Sequence, residues 1–203
     1  MTEAYVRQNA NNSTDRFVYG AERDVFEKGK SQGHVKKSLR QQAQLYKGSV
    51  YACVSKDDDG RIHSTLSTVH GYLLGECVRA YLQEQRMATG NVIWCEEIDE
   101  QSGDCLLVII VNGSVEHDSR IPPSTLDRHA SLILDQAKSK FTMIVHGDTP
   151  FTAPESTLDS MGNIHIAPEL IEVFTTLDTP IFPHVATLSR FKLVSIASTF
   201  DQA

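Results

Sequence analysis

Cys105-Leu106-Leu107-Val108-Ile109-Ile110-Val111 is the longest apolar run of the chain and fixes its fold class. Seven apolar residues follow one another with no polar alternation, and the last four are β-branched. Such a run describes a strand covered on both faces, central in its sheet. Upstream, Asp99-Glu100-Gln101-Ser102-Gly103 joins it to a second strand candidate, Asn91–Ile98, at a spacing that suits a hairpin. Downstream, Asn112-Gly113 makes a tight turn and Ser114–Asp118 continues the meander.

A strand buried on both faces needs elements to cover it, and the flanking sequence offers helices. Leu66, Val69, Leu73, Leu74, Cys77, Val78, Tyr81 and Leu82 recur at helical spacing, with Thr65 or Thr68 as caps and Gly90 as the stop. Pro122-Pro123-Ser124 opens a second helix that runs to about Lys138. Phe141–Val145 reads as a short strand, residues 147–163 as a long loop, and Pro168–Thr176 as a short helix. The segment from Pro180 to Ile196 reads as a strand or an extended exit. Nearer the start, Val35, Leu39, Ala43 and Tyr46 form a helix face, Ser49–Val54 is a strand, and Lys56–Arg61 a charged turn. The resulting expectation is an α/β (α+β) class with one mixed sheet and helices on its faces. Its parts are a flexible polar leader (1–20), a basic helical segment (21–47), the α/β domain (48–198) and a tail (199–203).

The chain has 203 residues, 40% hydrophobic and 22% charged, which excludes collagen-like and wholly disordered classes. Its net charge of −7 argues against general nucleic-acid binding. That total is uneven. Residues 1–50 hold nine Lys/Arg and five Asp/Glu, a net of +4, while the rest holds 10 and 21, a net of −11. Lys28, Lys30, Lys36, Lys37 and Arg40 are the candidate partner-binding residues, for an acidic protein or anionic lipid. The alternative is intramolecular, with the basic segment lying on the acidic body. The four cysteines (Cys53, Cys77, Cys95, Cys105) lack zinc spacing, and three sit in apolar runs as small core residues. The N-terminus has no signal-peptide pattern and no run reaches the roughly 20 apolar residues of a membrane span, so a soluble, cytoplasmic chain is expected.

Catalytic patterns are weak. Gly29-Lys30-Ser31 ends like a phosphate-binding loop, but Asp24 occupies the position where that motif needs its first Gly. His146-Gly147-Asp148 follows a strand at its C-terminal end, where α/β enzymes place catalytic groups. A plain turn explains the same three residues. Glu96 and Glu97 are adjacent on a strand and so point to opposite faces, which suits a charged sheet edge better than a catalytic pair. No catalytic residue, cofactor or metal is assigned.

The helix containing Gly71-Tyr72-Leu73-Leu74-Gly75-Glu76 leads to Val92-Ile93-Trp94, an acidic turn, and Leu106 through Val115 with Asp118 closing the run. Over residues 49–150 this pattern resembles the N-terminal cytoplasmic domain of PilO- and BfpC-type inner-membrane accessory proteins of type IVb pilus assembly. The resemblance implies a partial actin-like or secretion-platform domain. It would bind the assembly ATPase or inner-membrane platform and perform no chemistry. Family members continue into a transmembrane helix and a periplasmic domain, so this chain is expected to be a truncated form or a soluble relative.

Three functional expectations follow. The first is a non-enzymatic docking or scaffold domain of a type IV pilus or type II secretion-like platform, without nucleic-acid partners. The second is a small hydrolase or phosphoryl-handling enzyme using Asp148, His146 and Asp118. The third is a dimerising domain of a plasmid- or phage-type protein that pairs its Glu-rich strand across a two-fold axis.

Overall fold

In the computed structural model, residues 2–9, 11–122, 140–149, 151 and 171–196 are described. Among them the apolar run becomes one of twelve strands. In order they are β1 (Glu3–Gln8), β2 (Thr14–Tyr19), β3 (Glu22–Phe26), β4 (Tyr51–Lys56), β5 (Ile62–Ser67), β6 (Tyr72–Leu73), β7 (Val92–Asp99), β8 (Asp104–Val111), β9 (Ser114–Ile121), β10 (Phe141–His146), β11 (Ile171–Thr176) and β12 (Val194–Ser195). Two helices join them, α1 (Gln32–Ala43) and α2 (Leu74–Glu84). The chain divides into two compact units, residues 1–77 with 186–203, and residues 78–185.

The second unit is built on β8. Residues Cys105 to Ile110 are fully buried, as an unalternating strand between two neighbours requires. The sheet order is β11-β10-β7-β8-β9, with β7, β8 and β9 an antiparallel meander and β10 parallel to both β7 and β11. Ile93, Cys95, Leu107, Ile109, Phe141, Met143 and Val145 form the core on one face. Trp94, Leu106, Val108, Ile110 and Ile144 alternate with them and are also buried. Burial of each large side chain contributes about 1.5–3 kcal/mol.

The first unit holds two sheets. The antiparallel sheet β12-β4-β5-β3 packs Ala52, Ile62 and Leu66 against Val35 and Leu39 of α1, the i, i+4 pair that reads as a helix face in the sequence. Its opposite face places Cys53 beside Val18, Leu73 and Leu193. The other sheet, β1-β2-β6, begins with an N-terminal hairpin. Gly71 holds a φ of +146°, and a Cβ there would lie 2.6 Å from the Arg16 carbonyl oxygen, so only glycine lets β6 meet β2.

The α+β class stands, but three sheets replace the single mixed sheet. Where a flexible leader was expected, β1 and β2 pair as an antiparallel hairpin, and the Asn9 side-chain oxygen accepts from the amides of Asn11 and Ser13. The basic segment is helical only from Gln32 to Ala43, because β-branched and aromatic Val25 and Phe26 join β3. The helix expected from Leu66 starts at Leu74, since Leu66 lies in β5 and Gly71 interrupts the pattern. Ile171–Thr176 is a strand, in keeping with Ile171, Val173 and Phe174, and not a helix. The helix expected from Pro122 to Lys138 falls outside the described residues. No helix among the described residues is long and apolar enough to cross a membrane.

Candidate functional site

Two places gather the residues singled out in the sequence. In the first unit, Ser31 caps α1 by accepting from the His34 amide, which explains Gly29-Lys30-Ser31 as a helix start. Gly29 makes the preceding turn at a φ of +97°. With Val35 and Leu39 turned inward, Lys37 and Arg40 lie on the other side of the helix and Lys36 at its flank, while Lys28 and Lys30 precede the helix in the turn. Lys28, Lys30, Lys37 and Arg40 are exposed and Lys36 is half-buried. Lys36 and Arg40 also make interactions of their own, and other arginines of this unit are engaged within it. Arg23 forms a bidentate pair with Glu76, at 2.8 and 3.0 Å, and Arg7 meets Asp15 at 2.9 Å.

The charge split follows the boundary between the units. The first has 13 Lys/Arg and 10 Asp/Glu, a net of +3, and the second has 6 and 16, a net of −10.

In the second unit, the C-terminal ends of β7 and β10 carry Glu96, Glu97, His146 and Asp148. Glu96 and Glu97 point to opposite faces, but β7 is an interior strand, which corrects their reading as an edge signal. The Glu96 carboxylate is 1% exposed and accepts from the amides of Ile181 (2.9 Å) and Phe182 (3.1 Å). Burial raises its pKa, opposed by those amides and by His146. His146 is its in-register neighbour on β10. The His146 Nδ1 lies 2.8 Å from the Leu177 carbonyl oxygen, an acceptor only, so Nδ1 carries the proton. On the other face, the Glu97 carboxylate accepts from the Asp148 amide. Gly147, at a φ of +83°, passes so close that a Cβ would lie 2.7 Å from the Glu97 Cβ.

The hydrolase trio is not assembled. His146 shares a cross-strand row with Glu96, Leu106 and Arg120, while Asp118 belongs to the next row on β9. Three strand spacings put Asp118 at least about 14 Å from His146, beyond hydrogen-bond reach. Asp118 is buried, whereas Asp148 is exposed. Glu100 sits exposed in the β7–β8 turn. Among the described residues, no three His, Cys, Asp or Glu side chains are grouped to hold a metal. All four cysteines are free and buried. Glu96 is the polar group that sequence reasoning missed as a structural centre; a carboxylate beside Trp94 on an apolar strand was its signal.

No protein-family model matches the chain, and no curated protein matches it. Among solved structures, the cytoplasmic domain of BfpC shows a weak resemblance: 9% identity and a TM-score of 0.42, over 69% of this chain and 81% of that one.

Proposed function

We propose that the chain is a non-enzymatic docking domain that presents the outer face of α1 to an acidic partner protein. The observation that carries this reading is the exposure of Lys28, Lys30, Lys37 and Arg40, with Lys37 and Arg40 on the side of α1 away from its packed face and half-buried Lys36 beside them, on a unit that is net positive while the other is strongly negative. The sequence pattern of residues 49–150 supplies the biological setting, a type IV pilus or secretion-like assembly platform with its ATPase and inner-membrane proteins as partners.

Charge-led docking has a definite signature. The Debye length falls from ~10 Å in about 0.1 M salt to ~3 Å in about 1 M, so a contact made by exposed lysines weakens sharply across that range. Titration of the full chain against the purified cytoplasmic parts of the assembly ATPase and platform, at both salt levels, tests it. Salt-sensitive binding is expected; no binding at low salt to any of them defeats the proposal.

A further inference from the structure

The second unit gathers carboxylates at one end of its sheet. β10 runs parallel to both β7 and β11, so all three finish on the same side, and antiparallel β8 begins there. That end collects Glu97 and Asp99 from β7, Glu100 from the turn, Asp104 from β8, Asp148 just after β10 and Asp178 just after β11. Hydrogen bonds hold part of the set in place. Glu97 accepts from the Asp148 amide, Asp99 accepts from the Gln101 amide at 2.9 Å, and Asp104 is paired with Arg120 at 3.1 Å. The side chains of Glu100, Asp148 and Asp178 are exposed to water.

The first unit carries the opposite charge on a surface of similar size. Residues 27–47 hold six Lys/Arg and one acidic residue, Glu27, a net of +5. Lys28, Lys30, Lys37 and Lys47 are exposed, and exposed Leu45 adds an apolar side chain just beyond the helix. α1 has 12 residues and is about 18 Å long, while the four neighbouring strands from β11 to β8 span about 14 Å.

We propose that, given α1 as a docking surface, one of its acidic partners is a second copy of this chain: the basic surface of one molecule meets the acidic sheet end of the next. Crowded carboxylates repel one another, and the cations of a neighbour relieve that repulsion at a surface where salt still screens the contact. The contact joins two different surfaces, so it is head-to-tail. Each pair of molecules keeps one surface of each kind unused, and further copies extend the chain or close it into a ring.

Sedimentation of the full chain at concentrations up to ~1 mM, in about 0.1 M and about 1 M salt, tests this. Reversible self-association that salt weakens is expected. Two neutralised variants give the direction of the contact: Lys28→Gln, Lys30→Gln and Lys37→Gln together on the basic side, and Glu100→Gln, Asp148→Asn and Asp178→Asn together on the acidic side. All these side chains are exposed, so both variants should fold. Each alone should self-associate roughly threefold to hundredfold more weakly than the wild type. Mixed, the two should recover wild-type affinity yet stop at one-to-one pairs, because only one intact surface of each kind remains. A wild-type chain that stays monomeric at low salt overturns self-docking without recourse to either variant, and so does a mixture that associates no better than its parts. Self-docking and the wider role of α1 fail separately: a monomeric chain that still binds the assembly ATPase or platform in a salt-sensitive way loses only the second copy as a partner.

Discussion

Replacing Gly147 with Ala puts the turn after β10 to a quantitative test. A non-glycine residue at a φ of +83° costs about 1–2 kcal/mol. The new Cβ would meet the Glu97 Cβ at 2.7 Å, and a Cβ cannot swing aside as a side-chain tip can. Glu97 or the turn must shift, which breaks the charge-assisted bond from the Asp148 amide, worth about 1.5–3 kcal/mol. Together the loss is about 2.5–5 kcal/mol, a large share of a typical domain's stability of about 5–15 kcal/mol. The only tryptophan lies in the second unit, so Trp94 fluorescence in a urea titration follows that unit's unfolding. With a slope of about 1–3 kcal/mol per molar, the midpoint should fall by roughly 1–5 M. Gly90→Ala is the control, because nothing lies within 4 Å of a Cβ there, and its effect should stay within about 0.5 kcal/mol. If Gly147→Ala loses no more than Gly90→Ala, the turn is not held by Glu97 and the His146-Gly147-Asp148 segment is free for another role.

Two further outcomes follow from buried or paired titratable groups. Burial pushes the thiols of Cys53 and Cys77 up to about 12, so neither should react with a thiol reagent in the folded protein near pH 8; rapid modification of either would contradict the packing around them. Asp57 is held well below its ordinary 3.8 chiefly by His63, whose Nε2 lies 2.8 Å away, and also by Arg61. A depressed carboxylate stabilises the fold above its unfolded pKa and loses that effect as pH falls through the folded one. Asp57→Asn should therefore destabilise the β4–β5 hairpin at neutral pH and reduce the loss of stability in acid; an unchanged acid transition would show that the pair is not maintained in solution.

The part of the fold legible in the sequence is the part in which local pattern and tertiary burial agree. Cys105–Val111 has no polar interruption, so its central place in the sheet follows from the residues themselves, and the hairpin to Val92–Asp99 follows from the loop between them. Elsewhere tertiary pairing overrides local pattern. Glu3–Gln8 exposes Glu3, Val6 and Gln8, and the Asn-rich loop after it mimics a disordered leader, which hides the hairpin to a strand that ends in buried Phe17-Val18-Tyr19. Leu66 and Val69 fall in helical phase with Leu73 and Leu74 by coincidence, across a strand and a glycine with no room for a side chain. The basic face was visible from composition, since exposed charge needs no pairing information. Glu96 was not, because its worth depends on the amides of residues 181 and 182, some 85 positions away in the chain.

Docking through the basic surface at α1 is tested most directly by reversing three charges together, Lys28→Glu and Lys30→Glu in the turn before the helix and Lys37→Glu on its outer side. All three side chains are exposed, so the fold should hold. Each exposed pair lost is worth about 0.2–1 kcal/mol, which amounts to roughly threefold to hundredfold in Kd in about 0.1 M salt. Titrations against the assembly ATPase and platform domains should show this weakening together with a shallower salt dependence. A triple variant that folds normally yet binds with wild-type affinity and wild-type salt dependence would contradict it.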